Sequence, residues 1–162
     1  MKLNSQIEDK LNLQMHNEFE TAYAYLSLSM DLCAGAFNGF AHWMRKQYEE
    51  ELGHAMKFYY YINQCGNRLC LYPLDKANFS IKTPLQAFEK AYEMEINTTK
   101  DIHALYALAV ECKDYPSQEF LHYFIKEQVS EEDEMRTMVD RLKLAGDNSA
   151  SILNLDQLAG QR

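Results

Sequence analysis

Only three prolines and six glycines punctuate this chain of 162 residues. Breakers that scarce leave long stretches free to run as uninterrupted helix, and the strict apolar–polar alternation of a half-buried strand is almost absent. Cysteine is equally sparse. Cys33, Cys65, Cys70 and Cys112 form no CxxC pair, which fits reduced thiols rather than a disulfide framework. No apolar run approaches the roughly 20 residues of a membrane span, and MKLNSQIEDKLNLQ at the N-terminus lacks the apolar centre of a signal peptide. A cytoplasmic protein with no membrane partner is therefore expected. Positive charge is also short: 16 Lys and Arg against 24 Asp and Glu give a net charge of −8. That balance argues against a nucleic-acid partner and favours cations.

What the chain does have is apolar residues recurring at three and four, the period of an all-α fold. The spacing and punctuation predict helix A over about 5–33 and, after the break AGAFNG, helix B over about 39–65. A crossover over about 66–83 leads to helix C, about 84–112, opened by Thr83 as N-cap and Pro84 in the first turn. Asp114-Tyr115-Pro116 turns the chain into helix D, about 117–145, which stops at Gly146, and a short helix E follows over about 150–159. The whole of 1–162 reads as one domain. Four helices of about 40–45 Å imply a four-helix bundle. Short A–B and C–D connections make those pairs antiparallel, whereas the crossover can span about 60 Å and makes B and C parallel.

The stretch EEELGHAMKFYYYI, Glu49 to Ile62, places Glu51 and His54 on the face that carries Ala55, Phe58 and Ile62. Each of the other helices repeats the anomaly. Helix A has Ile7, Leu11, Glu18, Ala22 and Tyr25; helix C has Phe88, Ala91, Glu95, Ile102 and Tyr106. Helix D has Phe120, Phe124, Glu127, Glu131, Met135, Met138 and Leu142, with Gln128 beside them. Glu18, Glu51, Glu95 and Glu131 fall close to the midpoints of their helices, so antiparallel packing gathers them at one level. Buried together they repel and lose hydration, and no Lys or Arg lies in a stripe at that depth. A metal remains as the compensating charge. Four acids with a Glu-x-x-His pair are the donor set of a di-iron carboxylate site in a bundle. His16, His42, His103 and His122 have no second donor at matching spacing. Tyr59-Tyr60-Tyr61 reads as two-sided packing and Glu132-Asp133-Glu134 as a solvated face.

Through NEFETAYAY, YEEELGHAMK, YEMEINTT, DYPS, IKEQVSEEDE and LKLAGDN, the chain resembles a bacterial non-haem ferritin over nearly its whole length. The resemblance implies a ferritin-like bundle with a ferroxidase centre that oxidises Fe(II) with O2 or hydrogen peroxide, and a hollow shell of twenty-four copies that stores ferric mineral. It assigns one iron to Glu18, Glu51 and His54 and a second to Glu51, Glu95 and Glu131. Gln128 would lie against the site, with Tyr25 as a redox or hydrogen-bonding neighbour. Glu50 and Glu127, with Glu131, match the positions of a third iron, expected to be weak because Ser130 stands where several members have a carboxylate. Asp114 and Glu119 are candidates for an inlet channel at the shell's three-fold axis. Leu52 replaces the methionine that takes haem in bacterioferritin, and Glu127-Gln128-Val129-Ser130 lacks that family's second Glu-x-x-His, so no haem is expected. The alternative is another di-iron carboxylate enzyme, a peroxidase or oxygenase without a shell. The missing CxxC argues against a rubrerythrin-like peroxidase.

Overall fold

A computed structural model of the chain describes residues 2–77 and 79–162. Met1, at the head of the N-terminal stretch, and Asn78, within the expected crossover, lie outside the described residues. Five helices follow in order: α1 (Ser5–Ala34), α2 (Asn38–Gln64), α3 (Pro84–Glu111), α4 (Tyr115–Ala145) and α5 (Ser149–Ala159). Four are started by a local side chain. Asn4 accepts from Gln6 N, Thr83 from Gln86 N, Asp114 from Ser117 N and Asn148 from Ser151 N. The Asp114 cap sets α4 running from Tyr115, two residues earlier than the sequence spacing suggests, because Pro116 is tolerated in a first turn.

Helix directions follow from two apolar clusters. One gathers Tyr25, Leu28 and Leu32 from the end of α1, Phe40 and Met44 from the start of α2, Phe88 and Ala91 from the start of α3, and Met135 to Leu142 from the end of α4. The other joins Ile7, Leu11 and Met15, Phe58 and Ile62, Ile102 and Leu105, and Leu121 and Phe124. α2 and α3 therefore run the same way, and α1 and α4 run against them. This is the four-helix bundle with a long crossover expected from the stripes. Between the clusters, each helix contributes one buried acid. At the far end the stripe loosens: Phe120 and Tyr106 are half-buried, and Leu121 and Leu105 take the fully enclosed places.

The crossover returns along α1, held by side chains of that helix. Glu8 accepts from Asn67 Nδ2 (2.7 Å) and Arg68 N (3.0 Å). Asn12 donates to the Arg68 carbonyl and accepts from Cys70 N (2.8 Å). Further along, Ser27 donates to the Ala77 carbonyl (3.2 Å) and Asp31 accepts from Ile81 N (2.9 Å). Polar residues on the outer face of α1 thus satisfy backbone groups of a segment that has no regular structure of its own.

α2 is the exception to local capping. Phe37 offers no side-chain acceptor, and the first turn is closed by Asp156 of α5, whose Oδ1 accepts from Phe40 N at 2.8 Å. α5 approaches so closely that a Cβ on Gly39 would stand 1.7 Å from the Asp156 carbonyl oxygen. Gly39→Ala is expected to push α5 aside and lower stability by about 1–3 kcal/mol. Gly53 is the contrast, a mid-helix glycine where an added Cβ would meet nothing within 4 Å. Gly53→Ala should stabilise by about 0.5–1 kcal/mol. Thermal melts of the two variants in metal-free buffer should move in opposite directions.

Candidate metal centre

Where the two apolar clusters part, Glu18, Glu51, Glu95 and Glu131 are 1 %, 1 %, 0 % and 6 % exposed. One comes from each of α1 to α4. His54, one turn after Glu51, is 5 % exposed, and its Nδ1 lies 3.1 Å from Glu51 Oε2. Donor atoms of Glu18, Glu51 and His54 all fall within 4.8 Å of one another, the single such group of three among the described residues. Glu95 and Glu131 complete the layer but are tied to neighbours of their own.

Those neighbours are amides and a phenol. Glu95 Oε1 accepts from the Tyr25 hydroxyl, and its Oε2 from Gln128 Nε2 at 3.1 Å. Gln128 also reaches the Glu95 carbonyl at 3.2 Å and so holds the side chain against its own helix. Glu131 Oε2 accepts from Gln47 Nε2 (2.8 Å), and Glu18 Oε1 from Gln14 Nε2 (2.8 Å). One oxygen, Glu18 Oε2, is buried with no partner. An ionised carboxylate enclosed without a donor is costly, so the metal-free group favours its protonated form beside Glu51.

The electrostatics point the same way. Burial, then the adjacent Glu51 charge, lifts the Glu18 carboxyl well above its ordinary range. Glu51 is raised by burial and then by Glu95. Glu95 is raised by burial, against hydrogen bonds from Tyr25 and Gln128 that pull it down. Glu131 is pushed up to about 7, again by burial first and Glu95 second. Burial, with Glu95 next, also keeps the Tyr25 phenol protonated far above its usual range. The side chains touching these acids are neutral amides, a phenol and the His54 imidazole, with no lysine or arginine among them, and the oxygen-rich set with one imidazole suits a hard cation such as iron or manganese.

The outer positions behave differently. Glu50 is exposed and paired with Arg162 at 3.0 Å. Glu127 is half-buried beside Tyr123, whose phenol is raised to about 12 by burial and then by that carboxylate. Ser130 is exposed and Leu52 half-buried. Asp114 caps α4, and Glu119 is exposed near His122. None of the other four histidines joins a group of three donors among the described residues.

Two readings of the sequence need correction. Glu132 and Glu134 are not a solvated face: Glu132 Oε1 accepts from Thr99 Oγ1 at 2.5 Å, and Glu134 Oε2 lies 2.9 Å from Arg162 Nη2. Only Asp133 of that run is exposed. Likewise Tyr60 projects outward at 63 % exposure, while Tyr61 stacks on Phe120 with centroids 4.0 Å apart. The search for stripe acids does not single out Gln14, Gln47 or Arg162 as part of the centre. Gln14 and Gln47 nevertheless each precede a stripe acid by four residues, one helical turn along the same face, and that spacing is the signal that marks them.

Comparison with known proteins agrees with this geometry. Residues 8–145 match the family model described as a ferritin-like domain. A bacterial non-heme ferritin of Bacteroides fragilis is 37% identical over 160 residues, covering 99% of each chain. One from Staphylococcus saprophyticus is 33% identical over 150 residues, covering 93% of this chain and 90% of its own. Among solved structures, an open pore ferritin from the archaeon Archaeoglobus fulgidus superposes with a TM-score of 0.98 at 36% identity, covering 100% of this chain and 99% of its own. With four buried acids at one level of the bundle and relatives alike along almost its full length, the chain belongs to the ferritin family.

Proposed function

We propose that this protein is a ferroxidase and iron-storage subunit that takes Fe(II) as substrate at the four-acid layer. The observation that carries the reading is the buried set Glu18, Glu51, Glu95 and Glu131, enclosed without a lysine or arginine in contact and with Glu18 Oε2 left without a donor. Two divalent ions balance four carboxylates in charge. Glu18, Glu51 and His54 would hold one Fe(II), and Glu51, Glu95 and Glu131 the other, with Glu51 shared. Gln14, Gln47 and Gln128 fix the carboxylates from behind, each through one Nε2 donor. Tyr25 keeps its proton and anchors Glu95.

The reaction balances at such a pair. Two Fe(II) ions give up one electron each, and O2 with two protons becomes hydrogen peroxide. When hydrogen peroxide is the oxidant, the same two electrons and two protons yield two waters. Neighbouring metal ions supply both electrons without a free radical, and the carboxyls around them release protons as the metal enters. Leu52 has no thioether for a haem iron, so the chemistry is assigned to non-haem iron alone. Self-assembly into a hollow shell, twenty-four copies in the family reading, would retain the ferric product as mineral in the cytoplasm, and Asp114 and Glu119 are proposed for its inlet channel. The third position, with Glu50 and Glu127 beside Glu131, would bind loosely, since Ser130 brings only a hydroxyl.

Glu51→Ala should remove rapid Fe(II) oxidation by about 100-fold or more, the scale of losing a metal-bridging ligand, while particle mass by light scattering stays that of a shell. Glu93→Ala, an exposed acid paired with Lys90, is the control and should change neither. An unaltered initial rate in Glu51→Ala would refute the di-iron reading, and a small particle in the wild type would refute the storage shell.

A pH dependence follows from the raised carboxyls. Folded metal-free protein keeps protons on these groups where the unfolded chain has lost them. Stability therefore falls as pH rises from about 4.5, the unfolded Glu value, through about 7, where Glu131 titrates in the fold. Metal-free protein should melt lower at the upper end of this window than at the lower end. Zn(II) added at the upper end should restore the loss, by binding the folded state alone. Melting curves with and without Zn(II) across the window test both statements.

A further inference from the structure

Arg162 reaches the margin of the layer through Gln47. Its side chain is 22 % exposed. Nη2 lies 3.0 Å from Glu50 Oε2 and 2.9 Å from Glu134 Oε2, and Nη1 donates to Gln47 Oε1. The guanidinium rests on the Trp43 ring, 4.6 Å from its centroid, and the Arg162 carbonyl is 3.1 Å from His42 Nε2. Gln47, itself 0 % exposed, passes the contact inward by donating to Glu131 Oε2. An amide has one accepting and one donating end, and arginine can only donate. By claiming the oxygen of Gln47, Arg162 obliges the NH2 to face Glu131.

Charge counting gives this contact a consequence. Four core carboxylates balance two divalent ions. A third ion beside Glu131 would need Glu50 and Glu127, but Glu50 already answers to the Arg162 guanidinium. We propose that Arg162 is a positioning residue that helps limit tight binding at the centre to two metal ions: a tethered cation held on Glu50 and Glu134 that also orients Gln47 toward Glu131. The proposal rests on the di-iron reading given above. It adds a determinant that lies over a hundred positions away from Glu50 in the sequence (|i−j|=112).

The test is calorimetric titration of Zn(II) into metal-free assembled protein, comparing wild type, Arg162→Gln, Arg162→Lys and Glu51→Ala. Arg162→Gln is shorter and neutral, so a third equivalent should bind roughly 10-fold more tightly than in wild type, while Ser130 keeps it weaker than the first two. Arg162→Lys restores the charge and should bind as wild type does, a rescue that a purely structural role would not produce. Trp43 is the chain's single tryptophan, and Zn(II) does not quench it, so its emission should stay constant as wild type saturates. An unchanged affinity for the third equivalent in Arg162→Gln, a gain in Arg162→Lys as large as in Arg162→Gln, or a shift of Trp43 emission on loading wild type would each overturn the proposal. Failure of the underlying reading looks different: Glu51→Ala would then bind as much tight Zn(II) as wild type.

Discussion

Repulsion among four enclosed carboxylates is the constraint around which this bundle is arranged. Each acid alone would be driven to the surface or protonated, and together they raise one another. The fold holds them by dividing its core. Isoleucine, leucine and phenylalanine packing on one side of the layer and methionine, leucine and phenylalanine packing on the other fix the four helices, so the acids cannot move apart. Hydrophobic burial over the length of four long helices supplies the stabilisation against which this local cost is set. The metal-free protein is accordingly a strained host, and the cation completes it.

The neutral donors around the layer show how the strain is kept specific. Gln14, Gln47 and Gln128 each satisfy one oxygen without contributing charge, so they orient the acids and leave their demand for a cation intact. A lysine in any of these places would neutralise the site it supports. The one nearby arginine is kept a residue away, on Glu50, Glu134 and Gln47, where it acts on the margin of the centre rather than its middle.

Much of this is legible in the chain. Helical spacing of four and seven puts Glu18, Glu51, Glu95 and Glu131 in apolar stripes, and helix midpoints match their depths, because both properties are local to a helix. The parallel course of α2 and α3 follows from the reach of the crossover. Gln14 and Gln47 lie on the same stripes yet do not stand out, since a buried amide is less anomalous than a buried acid. Glu132 and Glu134 read as solvated in the sequence because their partners, Thr99 and Arg162, stand on other elements. No periodicity within one helix carries information about such a pair.

The cap of α2 bears on the order in which the protein can be made. Asp156 closes the first turn of a helix that starts at Asn38, and the bond to Phe40 spans 116 positions (|i−j|=116). While the ribosome is still adding those residues, the opening turn of α2 has its donors exposed to water and Gly39 faces nothing. A nascent chain can therefore pair α1 with α2 and yet cannot finish the end of the bundle where α2 meets α5. Completion of that end waits for translation to pass Asp156, so a chain stopped short of it leaves the first turn of α2 uncapped and Gly39 uncovered.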